Sequence, residues 1–352
     1  MSKKLRIWVI AITFLNLQCI AQQKQYPVVA VAFYNLENFF NPEDNPETND
    51  EDFTPDGSHR YTEEVFRQKA DNMARVIAQL GTEYSPDGAA IIGVCEIEDD
   101  RVLKTLVNQP VLRKRNYRYI RFDGPDKRGI NVGFIYNPKY FKTISAKPIS
   151  INLKYAGGGL TRDVLLVHGI LSGDTVYVLV NHWPSRSGGE AASAPKRAVA
   201  ADVNRKAVDL ILDQNKNAKI IVMGDLNDDP VSPSVAKVLG ATGSPSKAVN
   251  GILYNPWNQF YNKGLGTLSH NDKWNLFDQI ILSSAWLSNK TGHWQYYKAS
   301  VFDKDFLKNS FGRYKGYPHR SYNGNKWING FSDHFPTVVY LIKDAPSQQQ
   351  ED

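Results

Sequence analysis

The sequence has few cysteines, few methionines and no apolar run long enough to span a membrane. Of its 352 residues only Cys19 and Cys95 are cysteine, which excludes the disulfide framework that staples small secreted domains. If the amino-terminal segment is removed, Cys95 stands alone, no intrachain disulfide can form, and stability has to come from packing. The amino-terminal apolar run, residues 7–15, falls short of the roughly 20 residues that a helix needs to cross a bilayer. There is no internal repeat, no low-complexity tract and no strong charge bias. The net charge is +6, and Lys3, Lys4 and Arg6 supply three of those charges. So mild an excess permits a polyanionic substrate without arguing for one. A hydrophobic fraction of 42% with 22% charged residues excludes global disorder. The length suits one large α/β domain or two ordinary ones.

At the amino terminus Lys3, Lys4 and Arg6 precede the apolar run, and Cys19-Ile20-Ala21 forms a small-x-small pattern before Gln22. This is the pattern of an export signal. It predicts a signal peptide over residues 1–21 and a secreted or periplasmic protein, against the bland alternative of a buried amino-terminal helix. Lipid attachment at Cys19 is disfavoured, because Gln18 stands where such a signal takes a small residue. Residues 27–343 read as a single domain and 344–352 as a polar tail.

Apolar, β-branched stretches predict strands over residues 28–34, 89–95, 131–136, 164–171, 176–180, 218–223, 276–282 and 337–341. Thr62 is placed to cap a helix with Glu63 and Glu64 in its first turn. Phe66, Ala70, Met73, Ile77 and Leu80 then recur at helical spacing until Gly81. A second helix is predicted over 196–212. Residues 41–60 are polar, acidic and turn-rich, and read as a loop. Strands outnumber helices and the two are interspersed, which points to an α/β (α+β) fold of two stacked sheets flanked by helices.

Five segments place Asn, Asp, Glu or His at or just beyond the end of an apolar strand, where α/β folds assemble their sites. They are Tyr34-Asn35-Leu36-Glu37-Asn38, Val94-Cys95-Glu96, Val180-Asn181-His182-Trp183-Pro184, Met223-Gly224-Asp225-Leu226-Asn227-Asp228 and Ser332-Asp333-His334-Phe335-Pro336. A sixth, Leu276-Phe277-Asp278-Gln279-Ile280, puts an acid inside an apolar strand. Singly, each has a bland reading, since Asn and Asp at strand ends form turns and a lone histidine is more often structural. Asp278 is harder to dismiss: an unpaired buried charge is strongly unfavourable, so it needs a partner.

In this order the set resembles the endonuclease/exonuclease/phosphatase superfamily, which includes pancreatic-type deoxyribonucleases, apurinic endonucleases, neutral sphingomyelinases and inositol-polyphosphate phosphatases. Residues 224–227 and 332–336 carry the resemblance most strongly, residues 127–132 and 317–334 look like segments of bacterial members, and the likeness runs from about 28 to 341. It implies a four-layer sandwich, two stacked mainly antiparallel β-sheets flanked by helices, with the site at one end. It implies Glu96 as principal ligand of a divalent cation, Asn35 beside the metal, and Asp333 either ligating a metal or contacting His334. Oxygen donors suit Mg²⁺; Mn²⁺ would substitute in vitro, Ca²⁺ is open to a structural role, and one metal or two is left open. His334 would be the general base for an attacking water, oriented by Asp278, whose carboxylate fixes the ring tautomer and stabilises the cation formed on proton uptake. Asp225 and Asn227 would hold the water and phosphate oxygens. His182 would protonate the leaving oxygen or hydrogen-bond to the phosphate, with its carboxylate partner open among Glu37, Glu98 and Asp99. A histidine at this position accompanies sphingomyelinase-like and deoxyribonuclease-like members, and so disfavours abasic-site repair.

Two segments are candidate substrate contacts. Residues 185–196 form a Gly/Ser/Ala-rich loop with Arg186 and Lys196, followed by Arg197. Residues 311–327 interleave Arg313, Lys315, Arg320 and Lys326 with Tyr314, Tyr317, Tyr322 and Trp327. Basic groups track phosphates and aromatic faces stack on bases, although large aromatics also simply pack loops onto a core. Arg128, Asn131, Arg186 and Arg320 are the named substrate-binding candidates. The leading expectation is an exported endonuclease acting on DNA or RNA, monomeric and without a stable protein partner. The alternatives are a phospholipid or sphingomyelin phosphodiesterase, for which Trp183, Trp257 and Phe260 are the candidate membrane wedge, and a small-molecule phosphatase. A non-catalytic module of the same fold is disfavoured because every expected site residue is present.

Overall fold

A computed structural model describes residues 26–288 and 290–344. The segment expected to be a signal peptide, with Cys19, and the residues beyond Asp344 of the expected polar tail lie outside the described residues. The strands are β1 (Val28–Phe39), β2 (Ala89–Ile97), β3 (Arg118–Arg121), β4 (Asn131–Tyr136), β5 (Phe141–Ile149), β6 (Val164–Leu171), β7 (Asp174–His182), β8 (Lys219–Asp225), β9 (Ala241–Thr242), β10 (Leu253–Tyr254), β11 (Leu268–His270), β12 (Lys273–Asn275), β13 (Asp278–Leu282), β14 (Trp294–Val301), β15 (Tyr322–Asn323), β16 (Lys326–Trp327) and β17 (Thr337–Lys343). The helices are α1 (Glu63–Ile77), α2 (Asp100–Val107), α3 (Glu190–Gln214) and α4 (Asn258–Asn262).

One sheet runs β14-β17-β1-β2-β4-β3 and the other β5-β6-β7-β8-β13-β10-β9. Their ladders are antiparallel except β1–β2, β7–β8 and β9–β10. Side chains alternate across a strand, and β1 shows what that does here. Val29, Val31 and Phe33 face the second sheet, against Val178, Ile221, Met223 and Ile280. Ala30, Ala32 and Tyr34 face the other way, into the layer with Phe66, Met73 and Ile77 of α1 and Leu103 and Leu106 of α2. On β8, Ile221 and Met223 point between the sheets, while Ile220 and Val222 meet Ala200, Val208 and Ile211 of α3. Central strands buried on both faces read as continuous apolar runs, and those are the strands legible in the sequence. The result is the four-layer helix–sheet–sheet–helix sandwich.

The differences have local causes. β5 is largely exposed, and both it and β14 are edge strands, where polar residues blunt the pattern; neither was expected. α2 was also unexpected, although Asp99 caps it by accepting from the Val102 amide at 3.0 Å. α3 begins at Glu190, so residues 190–196 are helix rather than loop, with Pro195 inside the helix. Asp278 opens its strand instead of interrupting it.

Candidate active site

Strand register brings the motifs together. In the second sheet, parallel pairing sets His182 beside Asp225, and antiparallel pairing sets Asp225 opposite Asp278. Three segments far apart in sequence thus form one row at one end of the sandwich. Gly224 is required in this row: a Cβ there would lie 2.5 Å from the Asn181 carbonyl oxygen. From the facing sheet, Asn35 Nδ2 donates to Asp225 Oδ2 at 3.1 Å and lies 3.5 Å from Glu96 Oε1.

The first sheet's ladders break here. Register shifts fall between Asn35 and Phe39 on β1 and between Cys95 and Ile97 on β2. Glu37, Asn38, Glu96 and Asn227 have φ of 47°, 48°, 58° and 48°. Bulges re-aim side chains beside sites, and non-glycine residues held at positive φ gather where surrounding structure over-determines them. The turned backbone lets the Asn38 amide donate to Glu96 Oε2 at 2.7 Å and the Asn227 amide donate to Asp225 Oδ1 at 3.0 Å.

His334 Nδ1 lies 2.7 Å from Asp278 Oδ2, which supplies the partner that the buried acid requires. His334 Nε2 lies 4.0 Å from both Asp225 Oδ2 and Asp333 Oδ1. Burial pushes this ring down, but Asp278, Asp225 and Asp333 outweigh it and hold the pKa well above 6.5. His182 is the opposite case. Burial drives it well below 6.5, and the charges of Arg162, Arg128 and His334 push the same way, so the ring is neutral. Its Nε2 faces Asp225 at 3.6 Å and Glu96 at 3.7 Å, and its buried Nδ1 has no hydrogen-bond partner. Glu37, Glu98 and Asp99 are otherwise engaged: they accept from the amides of Ser321 and Asn41 and, at the α2 cap, Val102. Asp225 is pushed up to about 7, by burial first and by Asp278 and Glu96, against the pull of His334.

The donor set decides which ion would fit. Among the described residues, two groups of three ligand atoms converge within 4.8 Å: Cys95, His182 and Asp225, and Asp225, Asp278 and His334. The first would need a thiolate, and burial pushes the Cys95 thiol well up. The second contains two residues already joined to each other by the His334–Asp278 hydrogen bond. Glu96 and Asp333 differ in retaining solvent access, 15% and 30% of the side chain. One oxygen of Glu96 accepts from the Asn38 amide and the other lies 3.5 Å from Asn35 Nδ2; one oxygen of Asp333 accepts from Arg320 and the other lies 4.0 Å from His334 Nε2. Asn35 turns its Nδ2 to Asp225 and Glu96 while its Oδ1 accepts from the Glu37 amide at 2.8 Å, so the oxygen donors are the carboxylates Glu96, Asp333 and Asp225, which suit a hard divalent cation.

The substrate candidates divide. Arg320 Nη2 bonds Asp333 Oδ2 at 2.8 Å and stays half exposed. Arg128 Nη1 donates to Asn38 Oδ1 at 3.3 Å, also half exposed, beside the Glu96 turn. Asn131 is buried, and its amide holds the Glu98 and Gly129 carbonyls and the Gly124 amide, so it shapes a loop. Arg186 braces Asn227, Asp228 and Asp229, with its guanidinium 4.5 Å from the Phe277 ring centre. Arg197 is fully buried and pairs with Asp228 at 2.8 Å. Trp183 and Trp257 are fully buried and Phe260 packs on Trp257, so none of the three forms an exposed wedge.

Two cations near the site carried no motif. Arg162, buried, bridges Asp126 at 3.0 Å and the Trp183 carbonyl at 2.8 Å. Lys69, fully buried, donates to Ser321 Oγ at 2.5 Å; burial lowers it to about 8 against the pull of Glu37 and Asp333. Its position on the apolar face of α1, between Phe66 and Met73, was the available signal.

A sequence profile of the endonuclease/exonuclease/phosphatase family matches residues 30–343. No curated protein sequence matches the chain. Among solved structures, truncated TDP2 from Caenorhabditis elegans superposes with a TM-score of 0.55 at 16% identity, covering 90% of this chain and 97% of that one. An endonuclease/exonuclease/phosphatase family protein from Bacteroides thetaiotaomicron gives 0.53 at 16% identity, covering 91% and 100%. A mannosyl-6-phosphatase from the same organism gives 0.52 at 17%, covering 89% and 99%. At these identities the structural likeness is one of fold, and the profile match carries the assignment. The chain belongs to the endonuclease/exonuclease/phosphatase family of metal-dependent phosphoester hydrolases.

Proposed function

We propose that the protein is an exported, Mg²⁺-dependent phosphodiesterase that cuts nucleic acid, acting as a monomer. The observation that carries this reading is the convergence of His334–Asp278, His182 and Asp225 with two solvent-accessible carboxylates, Glu96 and Asp333, under a rim bearing Arg128 and Arg320. Glu96 and Asp333 would hold the cation, with Asn35 and Asp225 beside them. Bound there, a divalent cation would polarise a phosphoryl oxygen, offset the charge built in the transition state, and weaken the carboxylate field that otherwise keeps His334 protonated. His334, oriented by Asp278, then takes the proton of the attacking water through Nε2. Asp225, held by the Asn227 amide, positions that water. Neutral His182 hydrogen-bonds the phosphate or leaving oxygen. Burial of Trp183 and Trp257 removes the wedge on which a lipid reading would rest. A small-phosphoester phosphatase is the second reading, favoured by the superposition on a mannosyl-6-phosphatase.

Incubating the chain from Gln22 onward with supercoiled plasmid and Mg²⁺ tests the nuclease. Nicking should vanish with EDTA and in His334→Ala, and kcat/KM should fall steeply with salt as phosphate counterions are released. Hydrolysis of bis-p-nitrophenyl phosphate without any nicking would transfer the activity to small phosphoesters. For export, amino-terminal sequencing of protein recovered outside the cytoplasm should begin near Gln22; an intact Met1 would sink that part.

A further inference from the structure

A cleft of about 320 Å³ is lined by Asp333 and Arg320 of the candidate site together with His270, Asp272, Tyr314 and Tyr317. This is within the usual range for small-molecule sites, roughly 300–1,000 Å³. One wall is the tip of the β11–β12 hairpin and the other is loop 309–318. Asp272 ties the walls together: its two oxygens accept from the Tyr317 hydroxyl and from Arg313 Nη2, each at 3.1 Å.

The aromatics of this segment are not equivalent. Tyr317 packs edge-on against Trp274, with ring centres 5.4 Å apart. Tyr322 is buried against Trp327, whose indole Nε1 donates to Gln68 at 2.9 Å. Packing accounts for these three. Tyr314 lines the cleft, is 54% exposed, and has its ring centre 6.0 Å from that of Tyr317. Apart from the Arg313 guanidinium, 5.7 Å from its ring centre, this half-exposed planar side chain is open to the cleft that it shares with the candidate metal ligand Asp333, and it is placed to stack on a planar group attached to the scissile phosphate.

We propose that this cleft receives one unpaired nucleobase of the substrate, stacked on Tyr314, with Arg320 at the phosphate between base and catalytic centre. The assignment rests on the nucleic-acid reading above. It adds that the base must be single-stranded or splayed from a duplex, because a base has to leave its own stack before its face can lie on a tyrosine ring.

The test compares kcat/KM in Mg²⁺ on a short thymidine oligonucleotide and on an abasic oligomer with the same number of phosphates. Wild type should favour the thymidine substrate by about 10-fold or more, the scale of one aromatic–base stack. Tyr314→Ala should bring the thymidine value down to the abasic one, and Tyr314→Phe, which keeps the ring, should retain the preference. Equal wild-type rates on the two oligomers would overturn the assignment. So would a Tyr314→Ala loss shared equally by both, or a Phe variant as impaired as the Ala variant. If wild type cuts neither oligomer yet hydrolyses bis-p-nitrophenyl phosphate, the nucleic-acid reading has failed and the cleft assignment falls with it. If the thymidine preference survives in Tyr314→Ala, the nuclease stands and the cleft alone is refuted.

Discussion

Asp278→Asn keeps the shape of the site and removes the charge on which His334 depends. Asp278 is fully buried and its Oδ2 lies 2.7 Å from His334 Nδ1. A hydrogen bond to a charged group contributes about 1.5–3 kcal/mol, which is about 10- to 150-fold in a rate that needs the oriented ring. The asparagine adds a second loss. Its amide can donate to Nδ1, which leaves the proton on Nε2 and removes the base. Together these predict a fall of about 10²- to 10⁴-fold in kcat/KM on bis-p-nitrophenyl phosphate in Mg²⁺. The ring titration, followed by NMR without metal, should move down. Burial then acts against only Asp225 and Asp333, each at 4.0 Å. The stability sign follows from linkage. The folded pKa of His334 lies above its ordinary 6.5, so the stability it contributes is complete below that pH and is lost as pH rises through the folded value; the variant should show less of that loss. A decrease under about five-fold with an unshifted ring titration would refute the argument.

Two further predictions concern the scaffold. Burial, with Asp99 and Asp50 nearby, pushes Glu98 up to about 8, so wild type should lose stability as pH rises from the usual carboxylate range through that value. Glu98→Gln keeps an acceptor for the Asn41 amide, and above pH 8 it should gain on the order of 1–2 kcal/mol in urea denaturation. Equal midpoints at every pH would contradict this. Gly224→Ala should destabilise by about 1–3 kcal/mol, because its Cβ would meet the Asn181 carbonyl and side chain; an unchanged denaturation midpoint would show that the row has slack.

What was legible in the sequence follows burial. β1, β2, β4, β6, β7, β8, β13 and β17 are apolar on at least one buried face, and the motifs lie at the ends of β1, β2, β7, β8, β13 and β17. β5 and β14 are edges, with polar residues facing solvent, and left no comparable pattern. The site residues were readable because they end those central strands, but their pairing was not. Only the register of β7 and β8, which sets His182 beside Asp225, and the stacking of the other sheet, which brings up Glu96, show that His182 faces these two instead of Glu37, Glu98 or Asp99. Arg186 and Asn131 looked like substrate contacts because charge and amide groups in a loop carry no mark of their partners; the fold turns both inward. Lys69 and Arg162 were missed for the converse reason, being functional neighbours by burial alone.

In the proposed mechanism Glu96 and His334 serve one metal-dependent phosphodiester hydrolysis. Its most direct test is the rate of bis-p-nitrophenyl phosphate hydrolysis as Mg²⁺ is titrated into EDTA-treated wild type, Glu96→Gln and His334→Ala, with circular dichroism confirming that each is folded. Activity should appear with Mg²⁺ in wild type, need far more Mg²⁺ in Glu96→Gln, and stay low at saturating Mg²⁺ in His334→Ala. Hydrolysis that persists in EDTA, or a His334→Ala protein as active as wild type, would contradict it.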